Sequence, residues 1–249
     1  MGNGPSLNYT PLEKLSDDYV WGVNRCHLLY ERISWRPQFF CAVDHRVTPN
    51  IASEIDHQST QLPDTLFFLP SQYSTLRDWK DRENIIWTTE KLQDPSLGAD
   101  GYFATDPSDF LRTPNTVTIT CIQLAVYMGF NPIYLIGCDA NWHMPDGFAR
   151  GIGSVQDPGT GEIVEKFNLT MEGDEDHNHF HPEYFKKGDP WTAPNLNGQL
   201  YGYQRVHEKC TQLGIQIFNA TVEGELEVFP RKKFSELFSA TRASAATGL

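Results

Sequence analysis

The sequence predicts an α/β fold: a Rossmann-like, mostly parallel, doubly wound sheet with a lid insertion. Three observations carry that expectation. Short apolar runs alternate with helical stretches along the chain. The run Ile133-Tyr134-Leu135-Ile136 is apolar without alternation, which suits a parallel strand covered on both faces. Polar residues stand just beyond the carboxyl ends of several runs, where open α/β sheets bind ligands.

Taken in order, residues 2 to 6 read Gly-Asn-Gly-Pro-Ser, a tight loop with only Met1 before it. Such loops normally follow a strand, so either a first strand is missing or this is an N-terminal turn. Its glycines allow close backbone approach to a ligand, and Asn3 and Ser6 offer hydrogen bonds. Tyr19 to Val23 reads as a strand ending at Asn24-Arg25, and Gln38 to Val43 as another ending at Asp44-His45-Arg46. Asn50 to His57 reads as a short helix, Thr65 to Leu69 as a strand stopped by Pro70, and Asn84 to Thr88 as a fourth strand.

Asn115 to Asn141 then reads as helix, turn and buried strand. Pro114 bars its predecessor from helical geometry, and Asn115 or Thr116 caps the helix. Ile119, Ile122, Ala125, Val126 and Phe130 recur at helical spacing, which predicts one buried face. Gly129 sits where a left-handed helix end is wanted. Gly137-Cys138-Asp139 leaves the strand at its carboxyl end, and amides near Thr116 to Thr118 form a phosphate-receiving helix start.

Residues 142 to 195 differ in texture, with glycines at 147, 151, 153, 159, 161 and 173 and the acidic run Glu172 to Asp176. A long insertion with little regular pattern is read as a lid, anchored by Phe180, Tyr184, Phe185 and Trp191. The acidic run reads as a solvated face. Leu196 to Leu213 follows as a helix, Ile215 to Phe218 as a strand, Leu226 to Phe229 as an edge strand and Phe234 to Phe238 as a helical turn. The expected organisation is one nucleotide-binding α/β domain over 1–238 with a frayed tail at 239–249.

Composition narrows the function. The chain has 249 residues and a formal net charge of −12, which argues against broad nucleic-acid binding but not against a nucleotide ligand. Five scattered cysteines without a CxxC pair read as reduced thiols of a cytoplasmic protein. No signal peptide or spanning run is visible, so the sequons at Asn168 and Asn219 read as accidental.

Two groups of residues carry chemistry. His177, His179 and His181 would share a face on a strand, as three zinc ligands sometimes do. On a loop, one of them would serve as a general base, or cap backbone groups. Asn24, Asp44 and Asp139 lie at expected strand exits, where carboxylates suit ribose hydroxyls or a divalent ion, or cap the next helix.

The loop Gly2-Asn3-Gly4-Pro5-Ser6, the following Gly22-Val23-Asn24-Arg25, and Thr116 to Asp139 with the core YMGFNPIYLIGCD resemble bacterial lipooligosaccharide sialyltransferases, which use CMP-sialic acid. The same core resembles the archaeal 6-hydroxymethylpterin diphosphokinase-like family and its bacterial relatives in surface-polysaccharide clusters. TVTITCIQLAVYMGFNPIYLIGCD and NHFHPEYF are closer to those relatives.

The sialyltransferase resemblance implies a nucleotide held by Gly2, Asn3, Gly4, Pro5, Ser6 and Asn24. Asp44 stands where that family has a further Asn, and Thr116-Val117-Thr118 where it has Thr-Ser-Gly. Gly137, Asp139 and Asn141 complete the nucleotide set; the family's Tyr near Asn141 is absent here. His181 is the best match to its catalytic base and His179 the second. The implied activity is a glycosyltransferase of surface glycan synthesis. Its donor would be a CMP-linked acidic sugar, such as sialic acid or Kdo, and its acceptor a glycan or lipid-linked glycan. No metal would be required. A peripheral contact with the inner membrane face and a homo-oligomer stay open. The alternative resemblance implies a diphosphokinase in which Asp139 and Asp44 hold Mg²⁺ and ATP phosphates, outside the P-loop class because GxxxxGK[ST] is lacking. A non-catalytic binding protein of a polysaccharide assembly system is the third alternative.

Overall fold

A computed structural model of the chain describes residues 1–45, 47–143, 149–156, 163–170, 176–192 and 194–238. Residues 149–156, 163–170 and 190–192 are described at the level of the backbone. The expectations for Glu172 to Glu175, for the glycines at 147, 159, 161 and 173, for the Trp191 side chain and for the tail 239–249 lie outside the described residues.

Strands β1 (Trp21–Val23) and β2 (Phe39–Cys41) are parallel and buried on both faces. A short α1 (Val47–Asn50) and α2 (Ala52–Gln61) lead to β3 (Leu66–Pro70), and β4 (Ile85–Thr88) completes a four-stranded parallel sheet in sequence order. The helix expected at Asn50 to His57 therefore starts later and runs on to Gln61, where Leu62 and Pro63 stop it. β5 (Glu90–Lys91) and β6 (Leu111–Arg112) form a small parallel pair, and α3 (Val117–Tyr127) leads to β7 (Ile133–Leu135). After the insertion, α4 (Leu196–Gln212) returns the chain to β11 (Ile217–Asn219), parallel to β7.

The two parallel sheets are joined by the first four residues of the chain. The Met1 amino group donates to Trp21 O at 3.0 Å, on the β1 side. Gly2 N donates to Ile136 O at 2.8 Å and Gly4 N to Gly137 O at 2.9 Å, on the β7 side. The first residues, expected as an N-terminal turn or as the sequel to a missing strand, thus lie between the two sheets and bond to both. From that centre the chain winds outward, first to β4 and then to β7 and β11, which is the doubly wound arrangement the sequence predicts.

Alternation along the inner strands divides the core. Phe40, Phe67 and Leu69 face a layer containing Leu29, Ile51, Ile55 and Trp79, while Trp21, Phe39, Cys41 and Phe68 face α3 through Cys121, Leu124 and Ala125. The single buried face expected for α3 is a correction: every residue from Thr118 to Ala125 is buried. α4 and the segment from Phe103 to Arg112 cover its far side. Gln123 makes this tolerable. Its Oε1 accepts from Ala104 N and Arg112 N, and its Nε2 donates to Arg112 O and Ile119 O.

Two further expectations are corrected. The insertion is more regular than its glycine content suggests: β8 (Ala149–Gln156) and β9 (Ile163–Thr170) pair antiparallel, and β10 (Pro190–Thr192) adds to β9. Leu226 to Phe229 is no strand. Leu226 and Phe229 are both buried at a spacing of three, which a flat strand cannot deliver to one face, and Asn219 instead bonds to Pro230 O and Lys232 N.

Gln123→Leu keeps the volume but strips two amides of their acceptor. Urea unfolding should show a loss of about 1–3 kcal/mol for each buried N–H left unpaired. An unchanged midpoint would mean that the helix is not pinned in this way.

Candidate functional site

The loops at the carboxyl ends of β1, β2 and β7 meet where the winding reverses, the place where open α/β sheets hold ligands. Together with the start of α3, the first turns of α4 and part of the insertion, they enclose a cleft of about 270 Å³. Of the residues expected from sequence, Gly2, Asn3, Gly4, Asn24, Asp44, Thr116, Thr118, Gly137, Asp139, Asn141 and His179 line it. Pro5, Ser6 and His181 do not.

The glycines of the first loop serve the protein's own backbone. A Cβ on Gly2 would run into Gly137 O, and one on Gly4 into the Asp139 carboxylate. Gly137 itself has φ of +65°, with Leu7 and Gly2 O crowding its missing side chain. The two loops are therefore packed main chain to main chain. Ser6 belongs to this seam. Its N–H donates to Asp139 Oδ1 at 3.1 Å and its hydroxyl to Oδ2 at 2.8 Å. Pro5 opens the short 3₁₀ turn Pro5–Tyr9 that aims Ser6. Both residues, expected to contact a nucleotide, support the seam beneath Asp139 and do not line the cleft.

Burial pushes the Asp139 carboxyl above the usual carboxylate range; the two Ser6 donors, its own backbone amide and the nearby His179 pull the other way without cancelling the desolvation. Asp44 accepts from Val47 N at 3.0 Å, capping α1.

Asn3 sits between the first loop and the insertion. Its Nδ2 donates to Val23 O at 2.9 Å and to the Tyr184 hydroxyl at 2.8 Å, so the group left over is its carbonyl oxygen. Asn3 Oδ1 and Asn24 Oδ1 are both buried without a partner among the described residues. A buried acceptor left unmade costs about 1–3 kcal/mol, and both residues line the cleft. A ligand bringing N–H or O–H groups would satisfy them. Among the described residues, three of the four non-glycine positions with positive φ, Asn24, Asn115 and Ala140, also line the cleft, a concentration of backbone strain typical of functional sites.

At the other end of the cleft, Thr116 caps α3 by accepting from Thr118 N, as the sequence predicts. Tyr203 lines this end of the cleft with Thr116 and Thr118, and burial raises its phenol far beyond the ordinary range, so it stays a neutral hydroxyl. Gln199 donates to Asn115 O, tying the start of α4 to the start of α3. The result is a helix N-terminus ringed by hydroxyls, with no Lys or Arg among the described residues that line the cleft.

The insertion contributes a paired histidine and carboxylate. His179 Nδ1 lies 2.7 Å from Asp176 Oδ2, and the Asp176 side chain is only 4% exposed. The His179 ring stacks flat on Tyr184, with centroids 3.8 Å apart and planes 1° apart. This leaves Nε2 for the cleft. His181 is placed differently: its Nδ1 accepts from Glu183 N, capping the 3₁₀ turn Pro182–Tyr184. His179 lines the cleft, and His181, expected as the foremost base, does not. His177 is exposed, and no group of three His, Cys, Asp or Glu able to hold a metal occurs among the described residues.

Asp176 escaped the sequence reading because it was grouped with its acidic neighbours as a solvated face; the signal was its spacing of three from His179. From sequence, Tyr184 reads only as an apolar anchor of the insertion.

The matching family covers residues 1–144 and is described as 6-hydroxymethylpterin diphosphokinase MptE-like. The chain belongs to the MptE-like family. The matched stretch holds both of the packed loops, the start of α3 and the strand exits; the His179 segment and α4 lie beyond it. No curated protein matches this MptE-like chain. Among solved structures, it is similar to the MAf glycosyltransferase from Magnetospirillum magneticum AMB-1, with a TM-score of 0.52 and 15% sequence identity. The similarity covers 94% of this chain and 33% of that one, so the MptE-like chain spans about a third of the length of that protein. At this identity the likeness establishes the Rossmann-like fold.

Asp139 sets a pH dependence. Its carboxyl is raised in the folded protein, so its favourable contribution is complete below the ordinary carboxylate value, about 3.9, and is lost as pH rises through the raised one. Asp139→Asn is neutral throughout. The Tm of this variant minus that of the wild type should therefore increase between pH 4 and pH 7 in scanning calorimetry. A difference that is flat or falls with pH would contradict the assignment.

Proposed function

We propose that this protein is a glycosyltransferase that uses a nucleotide-activated sugar, with a CMP-linked acidic sugar as donor and a glycan or lipid-linked glycan as acceptor. The observation that carries this reading is the pairing, across one cleft, of an Asp176–His179 dyad with two buried, unsatisfied acceptors on Asn3 and Asn24. An amino group of the base or hydroxyls of the ribose would supply the donors those oxygens lack. The α3 amides and the hydroxyls of Thr116 and Thr118 would receive the phosphate.

In the proposed reaction, His179 Nε2 takes the proton of an acceptor hydroxyl as its oxygen attacks the anomeric carbon. The bond from that carbon to the donor phosphate breaks, and CMP departs with the electron pair. Asp176 holds the imidazole in the required tautomer and stabilises the imidazolium that forms. The growing charge on the leaving phosphate falls on the helix start. Neutral donors suit a leaving group with a single phosphate better than a triphosphate.

The family description supports a second reading, transfer of a diphosphate from ATP. That chemistry needs a cation clamp on the phosphates, from Mg²⁺ and basic residues. The residues expected to hold Mg²⁺ fit it poorly: both Asp139 oxygens are bound by Ser6, and Asp44 caps α1.

Calorimetric titration with CMP, UMP and ATP, with and without Mg²⁺, separates the readings. CMP should bind with an affinity that Mg²⁺ does not alter; binding of ATP alone, and only with Mg²⁺, would favour diphosphoryl transfer instead. His179→Ala should lower transfer or donor hydrolysis by roughly 10²–10⁴-fold, the usual contribution of a general base, while CMP affinity stays within threefold. His181→Ala should cost no more than a few-fold. A reversed ranking of the two histidines would sink the role given to His179.

A further inference from the structure

We propose that Tyr184 is a positioning residue that couples occupancy of the nucleotide end of the cleft to the placement of His179; this rests on the glycosyltransferase reading above. Tyr184 touches both parts. One face of its ring lies flat against the His179 imidazole at 3.8 Å. Its hydroxyl is held by Asn3 Nδ2 at 2.8 Å, and the other Asn3 amide atom, Oδ1, is a buried, unsatisfied acceptor on a residue that lines the cleft. The same planar amide group therefore carries the unsatisfied acceptor on one atom and grips the tyrosine with the other.

The backbone strengthens the link. Phe180 N donates to Asn3 O at 3.0 Å, and Phe180, Tyr184 and Phe185 are buried in the main core. Phe185 packs edge-on against both His179 and Tyr184, closing the stack from the side. Asp176 pins the imidazole at Nδ1, which leaves rotation about that contact as the free movement of the ring; the Tyr184 face blocks it. A ligand donor drawn to Asn3 Oδ1 would fix the amide plane, and with it the Tyr184 hydroxyl and the ring on which His179 rests. Sensing by this route requires no movement of the sheet.

The stack provides its own probe, because a ring lying flat on an imidazole displaces its proton resonances upfield. The His179 ring resonances, assigned by their loss in His179→Ala, should be upfield in the wild type and should move when CMP is added. Tyr184→Leu should abolish both the upfield position and the response. Tyr184→Phe keeps the ring but releases Asn3; it should keep the upfield position and lose more than half of the CMP response. A core tyrosine with no coupling role would give the same result for Phe as for the wild type, which would overturn the proposal. So would CMP binding that moves the Asn3 and Asn24 amide signals while the His179 resonances stay in place; that outcome leaves the nucleotide site intact. Absence of CMP binding to the wild type would overturn both the coupling and the reading on which it rests.

Discussion

The structure depends on one close approach: the main chain of residues 2–4 lies directly against the main chain of 136–139. Two halves of a parallel sheet, β1 to β4 and β7 with β11, are otherwise separate. The first residues fill the gap between them with backbone hydrogen bonds to both sides. Side chains at Gly2, Gly4 or Gly137 would force the halves apart. The glycines are thus required by the sheet itself, and the site inherits its geometry from that requirement. Asn3 reaches the cleft because its two neighbours are small enough to let the strand pass.

Everything that lines the cleft is fixed from this seam. Asp139 is buried by Gly4 and held by Ser6. Asn3 holds Val23 at the exit of β1, receives Phe180 from the insertion and grips Tyr184. Asn178 bonds to both backbone groups of His143, which ties the segment carrying His179 back to the chain leaving β7. The paired His179 and Asp176 are therefore held against the first loop of the chain rather than on an independent element, although the two are some 175 residues apart in sequence.

Local signals were legible and long-range ones were not. Thr116 as a cap, Gly129 at positive φ, and the inner strands all follow from residues within one turn or one run of each other. The strand-like role of residues 1–4 depends on carbonyls about 130 positions away, and nothing local announces it. The all-round burial of α3 was hidden by Gln123, which reads as solvent-facing until its four partners are known. The two histidines were separable in principle: His181-Pro182-Glu183 has the pattern of a cap, a proline at the first turn position and an acidic residue, which marks His181 as structural. Asp176-x-x-His179 carried the complementary signal within an acidic run.

The electrostatics of the cleft bear on what it can hold. The chain carries −12 overall, and Asp139 is buried at the floor with its ionisation resisted by desolvation. An anionic ligand gains nothing from the net field and must be held by oriented dipoles at short range. Such dipoles are provided at one end by the capped start of α3 with Thr116, Thr118 and Tyr203, and they can neutralise one phosphate far more readily than three. At the other end the unsatisfied groups are acceptors, which select a ligand face rich in N–H and O–H. A cleft with neutral donors, bare acceptors and a carboxylate-held imidazole on its wall holds one singly charged group more readily than a highly charged one. The same arrangement gives a magnesium triphosphate little to hold.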